Sequence, residues 1–196
     1  MKKKLFLCDL GNVLVNFDHR LAVRRILPFT RMTFREVYEL FFDSPLVKDY
    51  EEGRVSSRRF FEGVKELLGL RGISYKTFVA LWSEIFFDNK EIVGLLRELR
   101  RDYRLHMISN INELHYSYIK KVFPRSLAVF DKLILSYEVG ERKPHPKIYR
   151  AAVEGHGYRA EDALYVDDRE DLIQAAAQMG IQGIIFKGTD HLRAQL

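Results

Sequence analysis

The sequence predicts an α/β protein with a Rossmann-like parallel sheet that carries helices on both faces. Five short apolar runs are separated by segments whose apolar residues recur every three or four positions, and this alternation of strand and helix is typical of a parallel sheet. Four of the runs end in a carboxylate or hydroxyl side chain. Because ligands of such sheets bind beyond the carboxyl ends of the strands, these polar ends predict a site at one edge.

The first predicted strand covers residues 5–8 and delivers Asp9 into a turn that contains Gly11. The remaining strands and the core helices follow in alternation. Strands are predicted over 105–108, 133–135, 163–166 and 183–186, and helices over 90–101, 113–122, 147–154 and 171–179. Residues 1–17 and 89–196 are therefore predicted to form one core domain.

Residues 18–88 interrupt this alternation with helical patterns and no convincing strand. Thr33 and Glu36 have the spacing of a capping box, and Gly69 ends the longest pattern. We predict a small all-helical cap domain over 18–88, inserted after the first strand, with helices over 18–27, 33–42, 57–68 and 74–87. Most of its three phenylalanine pairs are interpreted as core, and a minority as the lining of a pocket between the domains; the pairs are 41–42, 60–61 and 86–87.

Composition excludes several classes of protein. The chain has 196 residues, 47 % of them hydrophobic, which suits one full domain with an insertion and is too apolar for a disordered chain. No stretch approaches the roughly 18 apolar residues of a membrane helix, so no membrane partner is expected. Residues 1–8 begin like a secretory leader, but their four apolar residues fall short of the roughly 7–15 that a leader needs.

Cysteine content and net charge indicate the cell compartment and the class of partner molecule. A single cysteine, Cys8, cannot form an internal disulfide, so a cytoplasmic protein is expected. The 32 basic and 27 acidic residues give a net charge of +5, a modest excess that suits an anionic small molecule. Nucleic acid is not expected as a partner, because nothing in the sequence concentrates this charge on one face.

Four polar features follow strands of the predicted core, and each has a structural explanation when it is taken alone. A carboxylate can belong to a turn, a serine can cap a helix, a lysine can sit in a solvated loop, and acidic residues are favoured at helix N-termini. The four features are Asp9 with residues 10–13, Ser109–Asn110, Lys143–Pro144 and Asp167–Asp168.

In their order and placement these features resemble the four motifs of the haloacid dehalogenase-like hydrolase superfamily, and the resemblance extends over the whole chain. The helical insertion resembles the cap of the first type, C1, in that superfamily. The Asp-Leu-Gly-Asn-Val opening at residues 9–13 resembles the group that includes bacterial glucose-1-phosphate phosphatases. Each motif is loose, but four in the same order are specific.

The resemblance implies a phosphomonoester hydrolase of small phosphorylated metabolites, with sugar phosphates as the first choice. It implies that Asp9 attacks phosphorus to give an aspartyl-phosphate. A cation is needed, because like charges about 4 Å apart repel by about 4 kcal/mol at an effective dielectric constant of 20. Mg²⁺ fits oxygen ligands, and we assign it Asp9, the Gly11 carbonyl and Asp168. Asp167 is also assigned to the metal site, through a water or by orienting a ligand.

The remaining motif residues are assigned to the phosphoryl group. Leu10, Ser109 and the amide of Asn110 are predicted to bind the phosphoryl oxygens, and Lys143 to offset charge on Asp9 and on the transferring group. These assignments are implied by the resemblance.

One position departs from the superfamily pattern. Gly11 stands where most of its phosphatases have a second Asp that acts as general acid and base. Either the leaving group needs little help or another residue supplies the proton. His115 in the first turn of its helix is our candidate, although a packing or capping role remains open. Asn16 and Asp18, at the hinge into the cap, are weaker candidates. His145 is expected to be a surface residue of the Lys143 loop.

Two rival interpretations remain. Dehalogenases of the same superfamily also lack the second Asp, but they attack carbon without a metal and usually lack the paired acids seen at Asp167–Asp168. A non-catalytic phosphate-binding or scaffold protein would have lost turnover together with its acid. The substrate, the cap residues that select it, and the choice between monomer and homodimer are left open by the sequence.

Overall fold

The computed structural model describes residues 4–42 and 44–196, together with the side chains of these residues except 41 and 42. Residues 1–3, which belong to the segment weighed above as a leader, and the side chains of the first phenylalanine pair lie outside this description. The strands are β1 (Lys4–Cys8), β2 (Val15–Phe17), β3 (Phe86–Asp88), β4 (Tyr103–Ser109), β5 (Lys132–Leu135), β6 (Ala163–Asp167) and β7 (Gln182–Ile185).

Five strands form a parallel sheet in the order β5-β4-β1-β6-β7, which confirms the predicted fold class. The first strand lies at the centre, where Cys8 is paired with Met107 of β4 and with Val166 of β6. Asp9, which follows β1, therefore lies at the same edge of the sheet as Ser109 and Asp167, the last residues of β4 and β6. This register brings residues from distant parts of the chain to one site.

The helices lie on both faces of the sheet, as predicted. On one face β1 packs through Phe6 against α6, α7 and α12, and on the other through Leu5 and Leu7 against α10 and α11. None of the described helices is both long enough and apolar enough to cross a membrane. The helices are α1 (His19–Ile26), α2 (Phe34–Phe42), α3 (Pro45–Glu51), α4 (Ser57–Leu68), α5 (Tyr75–Ser83), α6 (Lys90–Leu99), α7 (Glu113–Val122), α8 (Pro124–Leu127), α9 (Ser136–Val139), α10 (Pro146–Val153), α11 (Glu170–Ala177) and α12 (Thr189–Gln195).

Helices α1 to α5 form a separate bundle whose own core is built around Phe60, Phe78 and Trp82. Local sequence signals define its helices. The Thr33 amide donates to Glu36 Oε2 at 2.7 Å and the Glu36 amide to Thr33 Oγ1 at 3.4 Å, so the predicted capping box is present. The bundle is an insertion between β1 and α6, and the limits of 18–88 for a cap domain stay a prediction.

The insertion differs from the sequence-based expectation at its ends. Its last residues form β3, which pairs antiparallel with β2 through Phe17 and Phe86, so α5 ends at Ser83 and not at residue 87. Phe86 packs inward while Phe87 is 51 % exposed, because neighbouring strand residues point to opposite faces. Phe87 is therefore not core. Helix α3, in the same insertion, was also not predicted from the sequence.

Hydrogen bonds fix the cap bundle on the core near the site. The Tyr50 hydroxyl, buried at the end of α3, lies 2.7 Å from Ser57 Oγ and accepts from the Leu114 amide of α7 at 3.2 Å. Ser57 also bonds the carboxylate of Glu113. These contacts join two cap helices to the helix that follows β4.

Replacing Tyr50 with Phe removes the hydroxyl and leaves the Leu114 amide without its acceptor. We expect the free energy of unfolding to fall by about 1–2 kcal/mol, measured by urea denaturation. Tyr118→Phe is the control, since its hydroxyl makes no hydrogen bond within the described residues, and it should change stability by less than about 0.5 kcal/mol. Equal losses in the two variants would show that the Tyr50 hydroxyl does not hold the cap.

Candidate active site

The polar ends of three strands meet around a cavity of about 140 Å³ at the carboxyl edge of the sheet. Asp9 follows β1, Ser109 ends β4, and Asp167 ends β6. The loop before α10 adds Lys143, and Asp168 follows directly after β6. All five residues line the cavity, so the structure brings the four predicted motifs together.

Lys143 lies at the centre of this cluster and is 4 % exposed. Its Nζ donates to Asp9 Oδ1 at 2.6 Å and to Asp167 Oδ2 at 2.7 Å, and it lies 3.0 Å from the Tyr165 hydroxyl. Burial lowers the pKa of Lys143, but the charges of the two carboxylates outweigh burial and raise the pKa above its usual range. The ammonium therefore stays charged and neutralises part of the acidic cluster.

Burial raises the pKa of the Asp9 carboxyl above its ordinary value, and the opposing attraction of Lys143 does not cancel this effect. The charge of Asp167 raises it further. A cation on the cavity side of Asp9 would favour its ionised form, which is the form that can act as a nucleophile.

One carboxylate oxygen each of Asp9, Asp167 and Asp168 lies within 4.8 Å of the other two, close enough to share an ion. Asp168 is half-buried and accepts from Asn12 Nδ2 at 3.0 Å. Asp167 is fully buried, and both of its oxygens are already engaged, because Oδ1 accepts from the Arg169 amide at 2.9 Å. Asp167 is thus better placed to hold Lys143 than to bind a metal directly. A set of hard oxygen donors fits Mg²⁺.

Asn110 fixes the loop that carries Lys143. Its Nδ2 donates to the Lys143 carbonyl at 2.9 Å, and its Oδ1 accepts from the Lys143 amide at 2.7 Å. Ser109 is 2 % exposed at the end of β4 and lines the cavity. The Leu10 side chain packs into the core, and its backbone hydrogen-bonds the Asp9 carboxylate. Any contact of Leu10 with substrate is therefore restricted to its main chain.

Phe17 occupies the space beside Gly11 in which an acid would stand. A Cβ at position 11 would lie 2.8 Å from Cε1 of Phe17 and 3.8 Å from Asp9 Oδ2. The Phe17 ring is held by the rings of Phe86 and His19, with centroids 6.1 and 4.7 Å away. The structure therefore has a hydrophobic ring at the place of the missing second carboxylate.

His115 does not fit the predicted role of general acid. Its Nε2 lies 3.1 Å from the Trp82 carbonyl and so carries the proton, while Nδ1 accepts from Asn112 Nδ2 at 3.1 Å. The ring also stacks on Trp82 and is 5 % exposed. Burial lowers the pKa of His115 to about 3. Because both nitrogens are engaged and the ring is neutral, the histidine packs the cap against α7, which corrects the sequence-based prediction.

The weaker candidates also have structural roles. Asp18 caps α1 by accepting from the Arg20 amide at 2.9 Å, and Asn16 is an exposed residue of β2. His145 caps α10 and is exposed, in agreement with its expected surface position. None of the three lines the cavity that holds Asp9.

The sequence analysis missed two residues of the site. Tyr165 hydrogen-bonds both Lys143 and Asp167, and its position two residues before Asp167 on the same strand face was the signal that could have revealed it. Asn12 has a positive φ of 55°, a conformation that asparagine tolerates better than most residues, and this turn presents its amide to Asp168.

A buried neutral histidine makes stability depend on pH. In the unfolded chain His115 takes up a proton below about pH 6.5, whereas the folded chain does not until about pH 3, so acid favours unfolding by up to about 1.4 kcal/mol per pH unit. His19, with a pKa lowered by burial to about 4, adds a second such slope.

We therefore expect His115→Gln to lose stability less steeply than the wild type between pH 6 and pH 5, measured by urea denaturation at each pH. The number of protons taken up on unfolding, obtained from the slope of the unfolding free energy against pH, should be larger by nearly one in the wild type. Parallel pH profiles for the two proteins would contradict the assignment of His115 as a buried neutral residue.

Comparison with known proteins places these features in a family. A model of the haloacid dehalogenase-like hydrolase family matches residues 3–180. A D-ribitol-5-phosphate phosphatase of Bacteroides thetaiotaomicron is 24 % identical over 181 residues, which cover 89 % of this chain and 87 % of that protein. The pyrimidine 5'-nucleotidase YjjG of Escherichia coli is 27 % identical over 168 residues, covering 80 % and 73 % respectively.

Solved structures give the same result. The HAD family enzyme bt-2542 of Bacteroides thetaiotaomicron, in complex with magnesium and inorganic phosphate, superposes with a TM-score of 0.86 at 28 % identity and covers 97 % of this chain and 99 % of its own. The L-2-haloacid dehalogenase PA0810 has a TM-score of 0.67 at 15 % identity over 94 % and 84 % of the two chains, which shows a shared fold alone. Because the family model spans most of the sequence, the chain belongs to the haloacid dehalogenase-like hydrolase family, as its four motifs predicted.

Proposed function

We propose that this protein is a Mg²⁺-dependent phosphatase that hydrolyses small phosphorylated metabolites, with sugar phosphates as the preferred class, through an aspartyl-phosphate on Asp9. The observation that carries the proposal is the clustering of Asp9, Asp168 and the buried Lys143 at one sheet edge. A ribitol-5-phosphate phosphatase among the relatives, and a similar enzyme solved with magnesium and inorganic phosphate, support the same chemistry.

In the first step a carboxylate oxygen of Asp9 attacks phosphorus, and the bond from phosphorus to the leaving oxygen breaks. In the second step a water attacks the same phosphorus, inorganic phosphate leaves, and the Asp9 carboxylate is restored. Lys143 keeps its proton throughout, because two carboxylates surround it, and its fixed charge offsets the charge that develops on the phosphoryl group.

The metal site would be formed by Asp9, the Gly11 carbonyl and Asp168. When bound, Mg²⁺ screens the repulsion between the phosphate and the carboxylates and polarises the phosphoryl oxygens. Asn12 orients Asp168 for this role through its hydrogen bond of 3.0 Å. Asp167 would act indirectly, because its carboxylate holds the Lys143 ammonium in place.

Ser109 and the backbone amides of Leu10 and Asn110 would bind the phosphoryl oxygens. The Asn110 side chain is already engaged with the Lys143 loop, so its main chain is the part available to substrate. The leaving oxygen takes its proton from water, because Gly11 offers none and His115 is engaged elsewhere. Substrates whose leaving group is a stable anion, such as an anomeric sugar oxygen, should therefore react fastest. Localisation in the cytoplasm and the choice between monomer and homodimer stay predictions.

The first test measures inorganic phosphate released from a panel of sugar phosphates and nucleotides with Mg²⁺. Asp9→Asn keeps the shape of the side chain and removes the nucleophile, so we expect turnover to fall by at least about 10³-fold with little effect on folding. Asp190→Asn, an exposed acid on α12, is the matched control and should keep wild-type activity.

Chelation with EDTA should abolish release by the wild type. Phosphate release by Asp9→Asn at the wild-type rate would contradict the covalent mechanism. Phosphate release that continues in EDTA would contradict the requirement for a metal ion. Release of chloride from 2-chloropropionate in EDTA would favour a dehalogenase. Phosphate binding without turnover of any ester would favour a non-catalytic protein.

A second test restores the missing acid. Gly11→Asp alone crowds Phe17, and we expect it to cost about 1–3 kcal/mol of unfolding free energy in urea denaturation. In Gly11→Asp/Phe17→Ala the new carboxyl has room. The control is Gly11→Asn/Phe17→Ala, whose side chain at position 11 has the same shape and no acidic proton. For each substrate we compare the rate of the Asp variant with that of the Asn variant. This rate ratio should be at least about tenfold larger for alkyl phosphates than for p-nitrophenyl phosphate, because alkyl leaving groups need a proton. Equal rates in the two double variants would show that a proton donor at position 11 is not what the site lacks.

A further inference from the structure

A second cavity of about 170 Å³ lies beside the first and shares five lining residues with it, namely Gly11, Phe17, Ser109, Asn110 and Arg169. Its far wall is formed by residues of both the cap bundle and the core. If the phosphoryl group occupies the first cavity, as proposed above, the leaving group of the substrate occupies the second. The chemistry of this second cavity therefore bears on substrate choice.

An ion pair between cap and core forms part of this far wall. Arg142 precedes Lys143 in the chain, and its Nε lies 2.7 Å from Oε2 of Glu51 at the end of α3. The Glu51 carbonyl oxygen lies 2.5 Å from Ser136 Oγ at the start of α9, which holds the end of the cap helix against the core. The side chains of Arg142 and Glu51 are 25 % and 18 % exposed, so both remain accessible from the cavity.

Each arginine that lines the second cavity has an acidic partner, and of these two acids Glu51 is also part of the lining whereas Asp171 is not. Arg142 is paired with Glu51, and Arg169 is paired with Asp171 through contacts of 2.6 and 3.1 Å. The two histidines of the wall are neutral at pH 7, because burial lowers the pKa of His19 to about 4 and that of His115 to about 3. A second anionic group on the substrate would therefore find no unpaired cation in this wall.

Hydroxyl groups suit the same wall. Glu51 contacts one nitrogen of the guanidinium and leaves the other N–H donors of Arg142 for other partners, while the carboxylate supplies acceptors. A hydroxyl can donate to the acid and accept from the base without breaking the pair. The rings of Phe17 and Phe86 supply apolar surface for the C–H groups of a carbon chain.

We propose that Glu51 and Arg142 bind hydroxyl groups of an uncharged, polyhydroxylated leaving group and select against substrates that carry a second negative charge. This inference rests on the proposed phosphatase function. Glu51 and Arg142 would contact the leaving group and determine specificity, whereas Asp9 and Lys143 would act on the reacting phosphoryl group.

The test uses substrates that differ only at the end remote from phosphate. Sorbitol 6-phosphate and 6-phosphogluconate form one such pair, with a CH₂OH group replaced by a carboxylate. Phenyl phosphate, which has no hydroxyl groups, reports the chemistry alone. We measure kcat and KM with Mg²⁺ for the wild type, Glu51→Gln and the conservative control Glu51→Asp.

We expect the wild type to prefer the polyol phosphate. Glu51→Gln leaves the charge of Arg142 unbalanced, so the ratio of kcat/KM for the carboxylate substrate to that for the polyol substrate should rise about tenfold, mainly through KM. Glu51→Asp keeps the negative charge and should leave this ratio within about twofold of wild type. The rate with phenyl phosphate is measured for each variant, so that a change in the chemistry itself can be separated from a change in the ratio.

Each outcome decides between the two proposals. Hydrolysis of none of the phosphate esters by the wild type would remove the proposed function itself. Hydrolysis with an unchanged ratio in Glu51→Gln, or a wild type that prefers the carboxylate substrate, would overturn this inference and leave the phosphatase function standing. If Glu51→Gln does not fold, Arg142→Gln tests the same pair. Because this variant leaves the negative charge of Glu51 unbalanced, the ratio should fall. An unchanged ratio in Arg142→Gln would likewise overturn the inference.

Discussion

The site depends on one buried ammonium group, that of Lys143. Asp9 follows β1 and Asp167 ends the adjacent strand β6, so the parallel register places these carboxylates side by side at the sheet edge. Two buried carboxylates repel each other strongly in a low-dielectric environment, and burial alone disfavours their ionised forms. A lysine between them offsets both effects, and 134 residues of chain separate it from Asp9. The fold must therefore bring the Lys143 loop across the sheet edge.

This requirement explains several contacts around the site. The two reciprocal hydrogen bonds from Asn110 hold the loop to the end of β4, and Tyr165 contacts the ammonium from β6. The preceding residue, Arg142, reaches the cap at Glu51. Consecutive side chains of one loop thus serve the acidic cluster and the cap, so the position of the cap is coupled to the position of the buried charge.

The core could be predicted closely because its signals are local. Short apolar runs that end in Asp9, Ser109 and Asp167 defined both the strands and the edge at which they end. The errors arose where tertiary contacts decide. Phe86 begins a short strand because Phe17 lies opposite, and His115 is neutral because it is buried against the Trp82 ring of the cap. No spacing in the sequence reveals such partners, since each lies tens of residues away.

The Phe17 ring beside Gly11 leaves the charge balance of the site unchanged. A carboxylate at position 11 would add a further negative charge beside Asp9, Asp167 and Asp168, of which Asp9 and Asp167 already share the buried cation Lys143. Phe17 fills that space without adding charge and without a proton to donate. Under the proposed function the leaving group would be held by other residues, and the Glu51–Arg142 pair would hold hydroxyl groups without adding net charge beside the acidic cluster. Under the proposed function the core would supply the nucleophile and the buried cation, and the ion pair between cap and core would supply recognition in place of acid catalysis.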